Sequence, residues 1–266
     1  MASLGLAATG FSGDPEEITA PSLALTMSEP LRLMSETMSL FMLSPLLARA
    51  PRGDRHPVMV LPGFATNDQM TVLLRSFLMQ LRYDVYPLDL GWNFDQHTVG
   101  ENGEHVAERI AQIRAKTGKT VSLVGWSLGG VIAREAARRD PDDIRQVITL
   151  GSPFTGNPYA TSLANVYQAA TGNDFTSEKS KARYAEGSEL LPVPSSAIYS
   201  KMDGITSWRN CFGKTDAINE NIEVISSHFG FVANPAVFFA IADRLALEAG
   251  KWKKFEPSGP FRHFFA

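Results

Sequence analysis

The stretch VGWSLGG, residues Val124–Gly130, decides the fold. It follows the apolar run Thr120–Leu123 and leads into Val131–Glu135, whose residues favour a helix. A serine at a sharp strand-to-helix turn presents its hydroxyl outward, and it needs small residues two positions before and two after it to avoid a collision. Ser127 is therefore either an exposed nucleophile or a helix-capping serine in a glycine-rich turn.

Apolar, β-rich runs alternate with helical patterns on both sides of this turn. The predicted strands are 58–61, 84–88, 121–124, 146–150, 197–200 and 222–225, and the predicted helices are 68–81, 102–117, 128–139 and 235–248. Such alternation predicts an α/β fold, with one mostly parallel sheet and helices on both of its faces. In these sheets the ligand site lies at the carboxyl ends of the strands.

We predict three parts in the chain. Residues 57–250 form the α/β core, and within them 154–194 form a cap-like insertion, because this interval is rich in Gly, Asn, Ser, Thr and Pro and too long for a plain connection. Residues 1–56 form an N-terminal extension with an amphipathic helix. Residues 251–266 form a tail that mixes basic and aromatic residues, and it either packs on its own domain or touches a membrane surface.

The helix of the extension carries an apolar stripe at spacings of three and four residues. The stripe consists of Met27, Leu31, Met34, Met38 and Phe41/Met42, with Pro30 expected in the first turn and Pro45 at the end. One interpretation packs this stripe on the domain. The other makes it an adaptable surface for a lipid-like substrate, a membrane or a second subunit, since methionine fills irregular apolar space. The oligomeric state is left open.

Composition excludes several classes of function. Twenty-five Lys and Arg residues against 28 Asp and Glu residues give a net charge of −3, so we expect no nucleic-acid partner. Cys211 is the single cysteine, which excludes an internal disulfide, and no Cys/His cluster predicts a metal site. The N-terminus lacks the pattern of a secretory signal, and no apolar run reaches the roughly 20 residues of a membrane span. We therefore expect a cytoplasmic protein.

A serine hydroxyl needs a histidine base that a carboxylate orients. His228 follows the predicted last strand, and a loop there can return the imidazole to Ser127, whereas His263 in the tail is the weaker candidate. Asp203 follows the strand 197–200 and falls between serine and histidine in the chain, as the required order demands. The competing carboxylates, Asp216 and Glu220, have no strand immediately before them.

The loop Leu61–Phe64 at the end of the first strand is a candidate for an oxyanion hole. The backbone amide of Phe64, or that of Ala65, is expected to converge with the amide of Leu128 on a developing negative charge. Pro62 and Gly63 also fit an ordinary turn.

We expect aromatic residues to line a substrate pocket beside the serine. Trp92 and Phe94 follow the second strand at the same edge of the sheet, although core packing fits them equally well. The other candidates are Trp126, Phe154 and Phe229.

Taken in order, four motifs resemble the α/β-hydrolase superfamily, in particular its bacterial lipase and esterase branch. They are LPGF (61–64), GWSLGG (125–130), GSPFTG (151–156) and the late pair Asp203-Gly204 with His228-Phe229-Gly230. One departure is Pro62-Gly63 where these lipases usually have His-Gly, so the side chain that often braces the oxyanion loop is absent. A second is Trp126, which is bulkier than the histidine common beside the serine.

The resemblance implies a carboxylic ester hydrolase that uses Ser127, His228 and Asp203 through an acyl-enzyme and requires no cofactor. Its expected substrate is a small-molecule or lipid-like ester, and peripheral contact with a membrane is compatible with it. Two alternatives stay open. One is an acyltransferase with the same three residues, and the other is a binding protein that retains the fold without catalysis.

Overall fold

A computed structural model describes residues 17–257 and 259–265. Residues 1–16, which include the start of the predicted extension and the segment analysed for a secretory signal, lie outside the described residues. Among the described helices, none combines the length and hydrophobicity that crossing a bilayer requires.

Six parallel strands form one sheet in the order β2-β1-β3-β4-β5-β6. The strands are β1 (Pro57–Leu61), β2 (Asp84–Pro87), β3 (Val121–Trp126), β4 (Ile144–Leu150), β5 (Ser195–Tyr199) and β6 (Asn219–Glu223). Because the strands are parallel, the residues that follow β1, β3, β5 and β6 all emerge at one edge of the sheet.

Helices cover both faces of the sheet. They are α1 (Leu23–Leu47), α2 (Val72–Gln80), α3 (Gln96–Val99), α4 (Glu104–Thr117), α5 (Leu128–Arg139), α6 (Ala164–Thr171), α7 (Glu178–Gly187) and α8 (Pro235–Leu245). Alternate residues of β1 show the two layers: Val58 and Val60 pack towards α2 and α8, while Met59 and Leu61 pack towards α4 and α5. The predicted parallel sheet with helices on both faces is confirmed.

The apolar stripe of α1 does not pack on the domain, so the core interpretation was wrong for it. Its residues are largely exposed, with Leu23, Met27, Leu31, Met34, Met38, Phe41 and Met42 at 57–77%. Other residues of the same helix, Leu40 and Leu47, are buried against the layer that contains α8. The helix thus turns a different side to the protein from the one that its methionine spacing indicates.

The helix also begins earlier than its prolines predict. Ser22 caps its N-terminus by accepting a hydrogen bond from the amide of Leu25 at 3.4 Å, so Pro30 lies inside the helix and not in its first turn. Pro45 lies inside the helix near its end. The start of the helix therefore coincides with a serine N-cap, whose hydroxyl satisfies an amide that would otherwise be unpaired.

The interval 154–194 contains two short helices, α6 and α7, which lie over the carboxyl edge of the sheet. Arg134 and Arg138 of α5 both donate hydrogen bonds to the carbonyls of Gly187 and Glu189, at 2.6–3.2 Å. The guanidinium of Arg134 also stacks on the ring of Phe154, 3.9 Å from its centroid. These contacts fasten the end of α7 to the helix that follows Ser127.

The C-terminal segment packs on its own domain. The rings of Phe239 and Phe261 stack with centroids 4.7 Å apart, and Phe255 and Phe265 pack against the same layer. An isolated bridge pairs Phe265 with Val224, just after β6. Of the two interpretations of the tail, the structure thus favours packing.

Candidate active site

Ser127 stands at the turn between β3 and α5 in a strained backbone conformation. Its φ of 54° and ψ of −123° lie in a region that non-glycine residues seldom adopt. The amide of Ser127 donates to the carbonyl of Leu150 at 2.8 Å, which fixes the turn to β4. A Cβ on Gly125 would overlap the carbonyl of Gly129, and one on Gly129 would overlap that of Leu61. The glycines therefore allow the tight turn that presents the serine hydroxyl.

The structure brings Ser127, His228 and Asp203 together in a chain of hydrogen bonds. The Nε2 atom of His228 lies 3.1 Å from Oγ of Ser127, and its Nδ1 atom lies 2.7 Å from Oδ2 of Asp203. The side chains of His228 and Asp203 are 3% and 1% exposed. A hydroxyl hydrogen-bonded to an imidazole that a carboxylate orients is the arrangement that activates serine for nucleophilic attack.

The hydrogen bonds to Oδ1 of Asp203 fix the direction in which Oδ2 points. Oδ1 accepts hydrogen bonds from the backbone amides of Ile205 and Thr206 at 2.9 and 2.8 Å. Oδ2 is therefore left to face His228, and the carboxylate is held without a further side chain.

The competing residues are engaged elsewhere. Asp216 accepts hydrogen bonds from the backbone amides of the turn that follows it. Glu220 pairs with Arg244 of α8 at 3.1 Å. His263 lies exposed in the C-terminal segment.

The surroundings of His228 favour its charged form. Burial alone would lower the pKa of His228, but the negative charge of Asp203 and the hydrogen bond to it, together with the charge of Glu29, raise this pKa above its ordinary value. The imidazole is thus prepared to hold a proton taken from the serine hydroxyl.

Two residues that line the cavity beside Ser127 have backbone amides without a hydrogen-bond partner in the described part of the chain. They are Phe64 and Leu128, whose amides are the predicted oxyanion donors. The alternative donor, the amide of Ala65, is occupied because it donates to the carbonyl of Asn93 at 2.8 Å. Unpaired amides, one of them at the N-terminus of α5, are suited to stabilise a negative charge.

Asn93 is a residue that the sequence did not reveal. It is fully buried, and its Nδ2 atom donates to the carbonyl of Pro62 at 2.8 Å. Its backbone amide donates to the carbonyl of Thr66, also at 2.8 Å. Asn93 thus braces the loop that carries the Phe64 amide from both ends, which compensates for the side chain that Pro62 does not supply. No local pattern marks it, since it lies in an irregular loop after β2.

A largely apolar cavity opens beside Ser127, beneath the insertion. Its lining includes Phe64, Val131, Phe154, Leu163, Tyr167 and Phe175. Of the five aromatic residues expected to line a pocket, the cavity includes Phe154. Trp92 is 58% exposed, Phe94 packs edge-on against Phe64, and Phe229 packs edge-on against Trp126.

Trp126 belongs to the core and lies away from the cavity. Its side chain is 1% exposed, and its indole nitrogen donates to the backbone carbonyl of His228 at 3.0 Å. Trp126 therefore supports the loop that carries His228 through this hydrogen bond.

A buried ion pair closes one wall of the cavity. Arg183 of α7 makes a bidentate contact with the fully buried Asp95, at 2.6 and 2.9 Å, and it also contacts Glu135 of α5. Burial alone would raise the pKa of Asp95, but the charge of Arg183 and the hydrogen bonds to it hold this pKa below its ordinary value. The pair ties the insertion to the loop after β2.

Comparisons with known proteins agree with this architecture. A family model described as alpha/beta hydrolase fold matches residues 56–178. A triacylglycerol lipase of Pseudarthrobacter phenanthrenivorans is 31% identical over 120 residues, which cover 42% of this chain and 37% of the relative. A pimeloyl-[acyl-carrier protein] methyl ester esterase of Aliivibrio fischeri is 30% identical over 101 residues, covering 38% of each chain. The matches thus span less than two fifths of the length of these relatives.

Among solved structures, lipase B of Aspergillus fumigatus superposes with a TM-score of 0.56 at 20% identity, covering 74% of this chain and 54% of that one. At this identity the likeness concerns the fold. Together with the sheet and the family match, these findings show that the chain has the α/β-hydrolase fold.

Proposed function

We propose that the protein hydrolyses carboxylic esters through an acyl-enzyme on Ser127. The observation that carries the proposal is the buried chain from Ser127 through His228 to Asp203, with hydrogen bonds of 3.1 and 2.7 Å. Relatives named as a triacylglycerol lipase and a methyl ester esterase support the same class of reaction.

In the first half of the reaction, Oγ of Ser127 attacks the ester carbonyl carbon and its proton passes to Nε2 of His228. The amides of Phe64 and Leu128 stabilise the oxyanion of the tetrahedral intermediate. Asp203 holds the imidazolium in place, and His228 then returns the proton to the leaving alcohol as the carbon–oxygen bond breaks. An ester between the acyl group and Ser127 remains.

In the second half, water attacks this ester and gives a proton to His228. The intermediate collapses, the carboxylic acid leaves, and Ser127 recovers its proton from the imidazolium. The two halves of the reaction thus balance as ester plus water giving acid plus alcohol. The protons move between Ser127, His228, the leaving alcohol and the attacking water.

We propose that the acyl group occupies the cavity beneath the insertion. Its side chains near Ser127, such as Val131, Phe154 and Leu163, are apolar, so burial of methylene groups stabilises the bound substrate. An aliphatic acyl chain fits this apolar part of the lining, where an unpaired charge would lose its hydration.

Replacement of the serine tests the proposal. The substitution Ser127→Ala should lower kcat/KM for p-nitrophenyl acetate, butyrate and octanoate by about 10,000-fold or more, since it removes the atom that attacks the carbonyl. Thermal unfolding checks that the fold is retained. Ser39→Ala, which alters a partly exposed serine of α1, is the matched control and should keep the wild-type rate. A Ser127→Ala variant that retains most of its activity would refute the proposal.

A further inference from the structure

The carboxylate of Glu29 in α1 is buried between the two loops that carry Asp203 and His228. Its side chain is 2% exposed. Oε1 accepts hydrogen bonds from the backbone amides of Gly204 at 2.8 Å and His228 at 2.9 Å, and Oε2 accepts one from Phe229 at 3.2 Å. One carboxylate therefore bonds the residue next to Asp203 and the backbone of His228 itself.

Neighbouring side chains of α1 hold the loop of Asp203. The hydroxyl of Thr26 donates to the carbonyl of Gly204 at 2.5 Å, and Arg32 donates to that of Met202. A Cβ at Gly204 would fall 2.5 Å from the carbonyl oxygen of Leu25, so the glycine allows the helix backbone to approach. The loop after β5 is thus fastened to α1 on both sides of Asp203.

Glu36, two turns further along α1, holds the loop of His228. Its carboxylate accepts hydrogen bonds from the amide of Ser227 at 2.7 Å and from the Ser227 hydroxyl at 3.0 Å. Burial raises the pKa of Glu36, and the hydrogen bonds to Ser227 counter that rise. Glu36 therefore contacts the residue before His228 but neither His228 nor Asp203.

The charged groups around His228 come from two elements, the loop after β5 and α1. Asp203 contacts the imidazole from the loop after β5, and Glu29 and Glu36 approach from α1, where Arg32 pairs with Glu29 at 2.9 Å. Ser127 is the uncharged neighbour, on the turn between β3 and α5, which we call the elbow. Of the charges on α1, that of Glu29 adds to the effect of Asp203 and raises the pKa of His228 against the opposing effect of burial.

We propose that Glu29 is a positioning residue for the reaction. It fixes the loops of Asp203 and His228 relative to each other, and it supplies a second negative charge near the imidazolium that forms during proton transfer. Three backbone amides and Arg32 offset the cost of burying this carboxylate, because hydrogen bonds to a charged group are strong. The inference rests on the proposed function, since it concerns the same three residues.

Glu29→Gln removes the charge while keeping the volume and one acceptor oxygen. We expect kcat to fall about tenfold with KM within about twofold, because one backbone amide meets a donor in place of an acceptor. His228 must be neutral to accept a proton, so activity is lost as pH falls through its pKa. Without the charge this pKa drops, and the acid limb of the pH profile should move to lower pH.

Two variants of α1 are the matched controls. Glu36→Gln makes the same chemical change on the same helix and should leave the acid limb in its wild-type position. Glu29→Asp keeps the charge but withdraws it by one methylene, so it should lower kcat and leave the limb in place. An acid limb that stays unmoved in Glu29→Gln, or that moves equally in Glu36→Gln, would overturn the inference.

A measurement that needs no ester separates this inference from the proposed function. An NMR titration of the His228 imidazole in Ser127→Ala protein should give a pKa lower by about half a unit to one unit when Glu29→Gln is added. An unchanged pKa would overturn the inference. A lowered pKa in these variants, combined with a wild-type protein that hydrolyses no ester, would contradict the proposed function and leave the role of Glu29 in positioning His228 standing.

Discussion

The serine side and the acid–base side of the site are held in different ways. Ser127 stands on a turn built from its own strand and helix, and the hydrogen bond from its amide reaches only the adjacent β4. Asp203 and His228 lie on loops whose backbone is bound by Glu29. Glu29 is 175 positions from Gly204 and 199 positions from His228, whose amides it contacts. Ser127 is thus fixed by local structure, whereas Asp203 and His228 depend on a helix outside the sheet.

This difference teaches that the two sides should respond differently to change. Local steric constraints fix the elbow, so its geometry should survive the loss of distant contacts. The loops after β5 and β6 have no such internal support and should lose alignment when contacts from other elements are removed. Three substitutions test this contrast, and they follow in order of decreasing effect on kcat.

The first is Asp203→Asn on the acid–base side. The asparagine oxygen can keep the amides of Ile205 and Thr206, which turns its NH₂ group towards Nδ1 of His228. The imidazole must then carry its proton on Nε2, so it cannot accept one from Ser127. We expect kcat for p-nitrophenyl butyrate to fall about 10,000-fold with the fold intact.

Asp216→Asn is its control, because Asp216 also accepts hydrogen bonds from two backbone amides but faces no histidine. Its rate should stay within about twofold of the wild type, as for most substitutions that touch no reacting group. An equal loss of kcat in Asp203→Asn and Asp216→Asn would contradict the expectation. It would show that the substitutions act by disrupting a turn and not by blocking proton transfer from Ser127 to His228.

The second is Asn93→Ala on the serine side, where the oxyanion loop has support from outside the elbow. Its loss leaves the buried carbonyl of Pro62 unpaired and loosens the Phe64 amide. We expect about tenfold lower kcat with little change in KM, since the amide acts mainly in the transition state. The control is Asn67→Ala. The side chain of Asn67 accepts a hydrogen bond from the amide of Gln69 in the same region, and its loss should leave kcat unchanged. Lower thermal stability without any loss of kcat would remove Asn93 from the account.

The third is Trp126→Phe, which connects the two sides. It keeps the aromatic volume but removes the hydrogen bond from the indole to the carbonyl of His228. We expect only about a threefold decrease in kcat, because α1 still holds the amides of His228 and Phe229. A decrease in kcat of about a hundredfold would contradict this expectation. It would mean that the position of His228 depends on Trp126 in the core more than on α1.

The same contrast explains what the sequence could predict. The elbow, the six strands and the order of Ser127, Asp203 and His228 depend on residues close in the chain and on the rule that parallel strands end at one edge. The bracing by Asn93 could not be foreseen, because an irregular loop has no periodicity to read.

The role of α1 was hidden by its methionines. Its apolar stripe predicted the helix correctly but indicated the wrong side for packing. Glu29, Arg32 and Glu36 recur at spacings of three and four, so they form a second helical stripe in the same segment. A stripe of charged residues is ordinarily exposed to solvent. The sequence does not show that this one is buried, because the loops that bury it are distant in the chain.

Covalent labelling tests the central claim, that Ser127 is the nucleophile activated by His228 and Asp203, most directly. Wild-type protein should react with a fluorophosphonate probe, and mass spectrometry should find one adduct, on the peptide that contains Ser127. The adduct should be absent in Ser127→Ala and form far more slowly in Asp203→Asn. An adduct on another residue, or a wild-type protein that resists the probe while folded, would contradict the account.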